Sequence, residues 1–201
     1  MSHRFNTHSH HDAQAVTMQA RYRGALLGLA TGDALGTTLE FCARDRYPLH
    51  TEMCGAGAFN VAPGEWTDDT AMALCLADSL LHCQGLDPHD QLSRYLRWWR
   101  ESYMACQGKC IDIGMTTQQA LRQFERTRKV DGASTDANQS GNGGIMRLAP
   151  AVMVASSLEQ AAEFAVASSR TTHASPDCLD AAALFGQVLW RLLQGRPLFR
   201  Y

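Results

Sequence analysis

The sequence lacks the features that define several large protein classes. Its seven cysteines (Cys42, Cys54, Cys75, Cys83, Cys106, Cys110 and Cys178) include no C-x-x-C pair, are odd in number and lie scattered, which argues against a zinc knuckle and a disulfide framework. They read as small core residues of a reducing compartment, with Cys106 and Cys110 as packing partners one helical turn apart. No apolar run is long enough to cross a bilayer, and the N-terminus has no signal-peptide segment, so a cytoplasmic protein without a membrane partner is expected. A formal charge of -2 offers no basic face for nucleic acid. There is also no internal repeat, no charge block and no alternating strand pattern.

What is present is a globular composition: 201 residues, 45% apolar and 19% charged, enough for one domain with its own core. Residues 1–18 read as a flexible His-rich tail (His3, His8, His10, His11), and residues 19–201 as the folded domain. Apolar residues recur at helical spacing over 19–30, where the first helix is expected to end at Thr31-Gly32-Asp33. Residues 40–64 carry Pro48, Gly55, Gly57, Pro63 and Gly64 and read as a long connection. Further helices are predicted over 71–83, 90–103, 113–124, 145–155, 158–168 and 177–193, with Trp98 and Trp99 as core anchors and Arg94 on the solvent side. Residues 126–144 are polar and Gly-rich without periodicity. The expected fold class is all-α. The aromatic end, Phe199-Arg200-Tyr201, suggests a segment that packs against more protein or a partner chain.

Three segments carry candidate chemistry. In Thr67-Asp68-Asp69-Thr70 consecutive oxygen-bearing side chains sit where a loop becomes a helix; such a set suits Mg2+ or Mn2+, while helix capping is the commoner use of such a run taken alone. Gly28 to Gly36 contains Asp33 among small residues, with Glu40 just beyond. Ser140-Gly141-Asn142-Gly143-Gly144-Ile145-Met146-Arg147 is a Gly-rich loop running toward a helix, an arrangement that presents backbone N–H groups to phosphate oxygens.

Taken in order, GLATGDALG with Glu40, EWTDDTAM, SGNGGIMRLAP and RTTHASP resemble the successive signatures of ADP-ribosylglycohydrolases, most closely the bacterial dinitrogenase-reductase-activating type. The resemblance spans residues 21–195. It implies an orthogonal all-helical bundle and a binuclear Mg2+ or Mn2+ hydrolase that cleaves the N-glycosidic bond of ADP-ribosylarginine on protein. It further implies Thr67, Asp68 and Asp69 as metal ligands and Glu40 as the acid that orients the attacking water. Asp112 would face the substrate guanidinium, with helix N-capping as its alternative role. Asp33, Ser140, Gly141, Asn142, Gly143, Gly144, Met146 and His173 would line the ADP-ribose site, His173 at the ribose side.

The family's second ligand run, Gly-Asp-Asp/Ala-Asp-Thr, does not occur here, so a bundle incomplete at its C-terminus and half a metal site are expected. Two further readings follow: a non-catalytic ADP-ribose-binding remnant, and a helical interaction or immunity protein that binds a partner chain, or itself, over its uncovered face. Met115 after Gly114 departs from the polar residue usual in the bacterial enzymes.

Overall fold

A computed structural model describes residues 16–196. The His-rich tail through residue 15 and the aromatic end Phe199-Arg200-Tyr201 lie outside the described residues. Within them the chain forms α1 (Met18–Gly36), α2 (Asp68–Cys83), α3 (Pro88–Glu101), α4 (Met115–Thr127), α5 (Ala149–Met153), α6 (Leu158–Arg170) and α7 (Pro176–Leu193), with short 3-10 turns at Thr37–Leu39, Ala137–Gln139 and Asn142–Gly144. Among the described residues no strand forms beyond two isolated bridges, and the all-α expectation holds.

Local chemistry sets most helix starts. The Asp87 carboxylate accepts from the N–H groups of His89 and Asp90, and Pro88 occupies the first turn of α3, where its missing N–H costs nothing. Ser157 and Ser175 cap α6 and α7 in the same way. The principal core joins Met72, Cys75, Leu76 and Leu80 of α2 to Leu92, Tyr95 and Trp98 of α3 and Leu121 and Phe124 of α4. A second cluster joins Leu148 and Val152 to Ala161, Ala165, Ala182 and Leu193. The helices α6 and α7 approach closely at Gly186, where a Cβ would stand 2.8 Å from that of Ala165.

Four expectations are corrected. The helix expected to stop at Thr31-Gly32-Asp33 runs on to Gly36, because the Asp33 side chain is engaged with α2 and leaves its own helix intact. Arg94 is buried and ion-paired with Asp78 and Asp90, and Trp98 is buried in the core while Trp99 is only partly covered, stacked beneath Arg100. Cys106 and Cys110 lie in a loop and not on consecutive helical turns. All seven cysteines are free.

The first helix is the least covered. Of its 19 residues only Ala34 is buried, and Gly24, Gly28, Gly32 and Gly36 each face open space. Arg21 and Tyr22 tie it to the rest through the backbone carbonyls of Leu193 and Met153.

Candidate functional site

The start of α2 is organised from α1. Both oxygens of Asp33 are occupied: they accept the backbone N–H and hydroxyl of Thr67 and the backbone N–H and hydroxyl of Thr70, at 2.7 to 3.0 Å. Thr67 is the N-cap by position, yet its side chain makes no capping bond; Asp33 does that work from another helix. The Thr67 side chain therefore does not cap its own helix. The Thr67 hydroxyl gives its proton to Asp33 and is not spent on an N–H group, which leaves its lone pairs available to a ligand. Asp33, expected at the ADP-ribose, lines the same hollow but is saturated by donors of its own chain.

A cavity of about 460 Å³ lies in front of this helix start, lined by Asp33, Glu40, Asp68, Asp69 and Asp112 together with Gly32, Gly36, Thr37, Phe41, Thr67, Gly114, Asn142 and Met146. The structure thus gathers five carboxylates from three separate stretches of the sequence. Among the described residues none of the five forms an ion pair with a Lys, Arg or His. Their acidities register the crowding. Burial first, then Asp69, Asp112 and Asp33, holds the Asp68 carboxyl far above the usual range. Asp69 is raised by burial and by Asp33 and Glu40. Asp112 is pushed up to about 7 by burial and by Glu40, Asp69 and Asp33, and Glu40 is raised by burial and Asp33. An added cation relieves such repulsion.

Asp112 sits in the left-handed backbone region at φ 57°, and Gly114 takes the N-cap position of α4. The capping alternative for Asp112 is therefore ruled out, and its carboxylate turns into the cavity. The nearby Cys110 thiol is pushed up to about 12 by burial, Asp68 and Asp112, which disfavours a thiolate ligand. Oxygen donors in this number suit a hard cation, although among the described residues no three His, Cys, Asp or Glu side chains converge into a ready-made cage. Thr67, Asp68 and Asp69 fit such an ion by donor chemistry from one wall.

Two smaller hollows adjoin the first, and all three share Asn142. One, of about 220 Å³, is lined by Ser140, Gly141, Asn142, Gly144 and the first turn of α7. The other, of about 370 Å³, is a largely apolar trough between Leu29, Ile145, Met146, Phe185 and Leu189. Ser140 is held by the Ser175 hydroxyl at 2.7 Å.

His173 stands elsewhere than at a cavity wall. It is buried behind the loop, where a Cβ on Gly143 would meet its ring at 2.4 Å, and burial with nearby Arg147 lowers its pKa to about 4. Sequence reasoning did not single out Phe41, Phe185 or Leu189 as lining residues, nor Arg147 as a support. For Arg147 a signal existed: it is the lone charge in the apolar stretch 145–155.

The family model described as ADP-ribosylglycohydrolase matches residues 14–200. The chain belongs to the ADP-ribosylglycohydrolase family. The ADP-ribosylarginine hydrolase of Serratia proteamaculans is 39% identical over 174 residues, covering 86% of this chain and 47% of the relative. That of Pseudomonas putida is 41% identical, covering 87% and 47%. The ADP-ribosyl-[dinitrogen reductase] glycohydrolase of Rhodospirillum rubrum is 35% identical, covering 89% and 60%. A solved ADP-ribosylglycohydrolase-related protein complex superposes with a TM-score of 0.74 at 39% identity, over 90% of this chain and 58% of that one. This family member therefore spans about half the length of the curated relatives it matches. No helix of its described residues is long and apolar enough to cross a membrane.

Proposed function

We propose that the chain hydrolyses the N-glycosidic bond of ADP-ribosylarginine on protein with the help of a bound cation. The observation that carries this reading is the five-carboxylate cavity, set beside a Gly-rich loop, in a chain about 40% identical to an ADP-ribosylarginine hydrolase.

In this reading Ser140, Gly141, Asn142, Gly143 and Gly144 hold the diphosphate, and Met146 lies against the sugar. Thr67, Asp68 and Asp69 would hold Mg2+ or Mn2+, which would supply Lewis-acid polarisation and acidify a bound water. Asp112 receives the guanidinium of the modified arginine. That cation offsets the repulsion from Glu40 and Asp69, so Asp112 ionises on binding and fixes the leaving group. Glu40 orients the water that attacks the anomeric carbon. The C–N bond breaks as the C–O bond forms, the water's proton passes to Glu40, and the departing nitrogen leaves with its electron pair. The carboxylates stabilise positive charge at the sugar as the bond opens. A protein of this type works among ADP-ribosylated proteins in the cytoplasm.

The deciding experiment incubates purified protein with ADP-ribosylarginine and Mn2+ or Mg2+ and measures released ADP-ribose. Release that exceeds an Asp68→Ala, Asp69→Ala control supports the reading; equal release sinks it. The second reading, an ADP-ribose-binding remnant, draws on the lack, among the described residues, of three His, Cys, Asp or Glu side chains converging on one point. It predicts a thermal shift with ADP-ribose but no turnover, lost in Gly143→Trp.

A further inference from the structure

Arg147 is completely buried. Its Nη1 donates to the Gly143 carbonyl at 2.6 Å, and its Nη2 donates to the Thr172 hydroxyl at 2.7 Å, the Ser168 carbonyl at 3.2 Å and the Thr171 hydroxyl at 3.3 Å. The guanidinium carbon stands 4.7 Å from the centre of the Tyr95 ring. Its Nε has no partner, and no carboxylate among the described residues pairs with it. A buried cation answered only by neutral oxygens and a ring is costly.

The surroundings are braced to keep it there. Gln91 Nε2 donates to Tyr95, Thr171 and both oxygens of Ser168. The Thr172 oxygen that accepts from Arg147 also lies 2.9 Å from His173 Nδ1. The other ring nitrogen, Nε2, is the His173 atom nearest Gly141. Arg147 thus holds the loop at the Gly143 carbonyl directly and at Gly141 and Gly143 through Thr172 and the His173 ring.

We infer that Arg147 is a positioning residue for the Gly141–Gly144 loop, and that its charge, which no carboxylate neutralises, acts through the loop on an anionic ligand held in front of it. This rests on the reading of residues 140–144 as the diphosphate site. It assigns the loop's counter-charge to a residue that no substrate atom touches.

The test uses the full chain as wild type, Arg147→Lys and Arg147→Met, titrated calorimetrically with ADP-ribose and with adenosine, which shares the base and a sugar but has no phosphate. Arg147→Met should weaken ADP-ribose about tenfold and change adenosine by less than about twofold, as expected for one unit charge acting at a loop's distance, while Arg147→Lys keeps most of the affinity. Equal weakening of both ligands, or none, overturns the inference in favour of packing alone. Should Arg147→Met fail to fold, the wild-type protein labelled with 15N-arginine decides. The unpartnered Nε–H resonance of Arg147 should move on adding ADP-ribose and stay still with adenosine, and a resonance indifferent to both overturns the inference. Wild-type protein that binds no ADP-ribose refutes the diphosphate reading itself, an outcome distinct from a loss confined to Arg147→Met, and the inference falls with it.

Discussion

The two sides of the Gly-rich loop are built on opposite electrostatic terms. In front, Asp33, Glu40, Asp68, Asp69 and Asp112 line one cavity without an ion-paired cation among the described residues; behind, Arg147 is buried without a carboxylate. A protein selected for stability alone would pair such charges, since opposite charges brought together in a low-dielectric interior attract strongly. Keeping them apart leaves each side to be completed by something else. The front is suited to cations and a guanidinium, and the loop, with positive charge at its back, to an anion. In the proposed reading one molecule, an ADP-ribosylated arginine with its metal, presents both.

The contrast can be broken at its hinge. Asp33→Asn should have the largest effect, because both carboxylate oxygens accept donors and an amide NH2 would oppose the N–H of Thr67 or Thr70. A loss of about 3 kcal/mol is expected in urea unfolding, with Mn2+ affinity falling in the same variant. Next, Gly143→Ala should cost about 2 kcal/mol by forcing a methyl into the His173 ring, and it should weaken ADP-ribose without altering Mn2+ binding.

The pH dependence separates the two sides by sign. The raised carboxylates stabilise the fold fully below their unfolded value of about 4, and that contribution is lost as pH rises through their folded values, near 7 for Asp112. His173, lowered to about 4, behaves oppositely: its contribution is present above its unfolded value of about 6.5 and is lost as pH falls toward 4. In EDTA the front dominates by number, so Tm should fall from pH 5 to pH 8. Asp68→Asn should flatten that slope and expose the histidine limb. The smallest effect belongs to the half-exposed Asp112: Asp112→Asn should raise the Tm at pH 8 in EDTA by about 2 °C, solvent screening keeping it small.

Much of this was legible in the sequence. Helical spacing in the first half and a composition rich in Ala, Leu and Met in the second located the seven α-helices of the described residues. The end of α1 was misjudged because Thr-Gly-Asp is a common helix stop, and only tertiary structure reveals that the Asp33 carboxylate belongs to the next helix. The burial of Arg94 escaped notice because its partner Asp78 lies on another helix. Ile145-Met146-Arg147 was read as the start of a helix that instead begins at Ala149, since Pro150 suits a first turn and cannot sit within a longer helix. At the site, the acids were found by motif, but that Thr67 makes no capping bond and that Asp112 lies outside the N-cap position turned on hydrogen bonds and a backbone angle that spacing does not encode.

The bond between Asp33 and the start of α2 also has a consequence for how the chain can vary. Because α1 itself fixes where Thr67, Asp68 and Asp69 begin, the exposed stretch over residues 42–49 carries none of that responsibility. Loop closure costs little more as loops lengthen, so this segment can accept inserted residues while the helix start stays in place. A short insertion near the exposed Leu49 should leave the carboxylates aligned, which makes that stretch the natural place to graft a tag or a recognition sequence without disturbing the chemistry beside it.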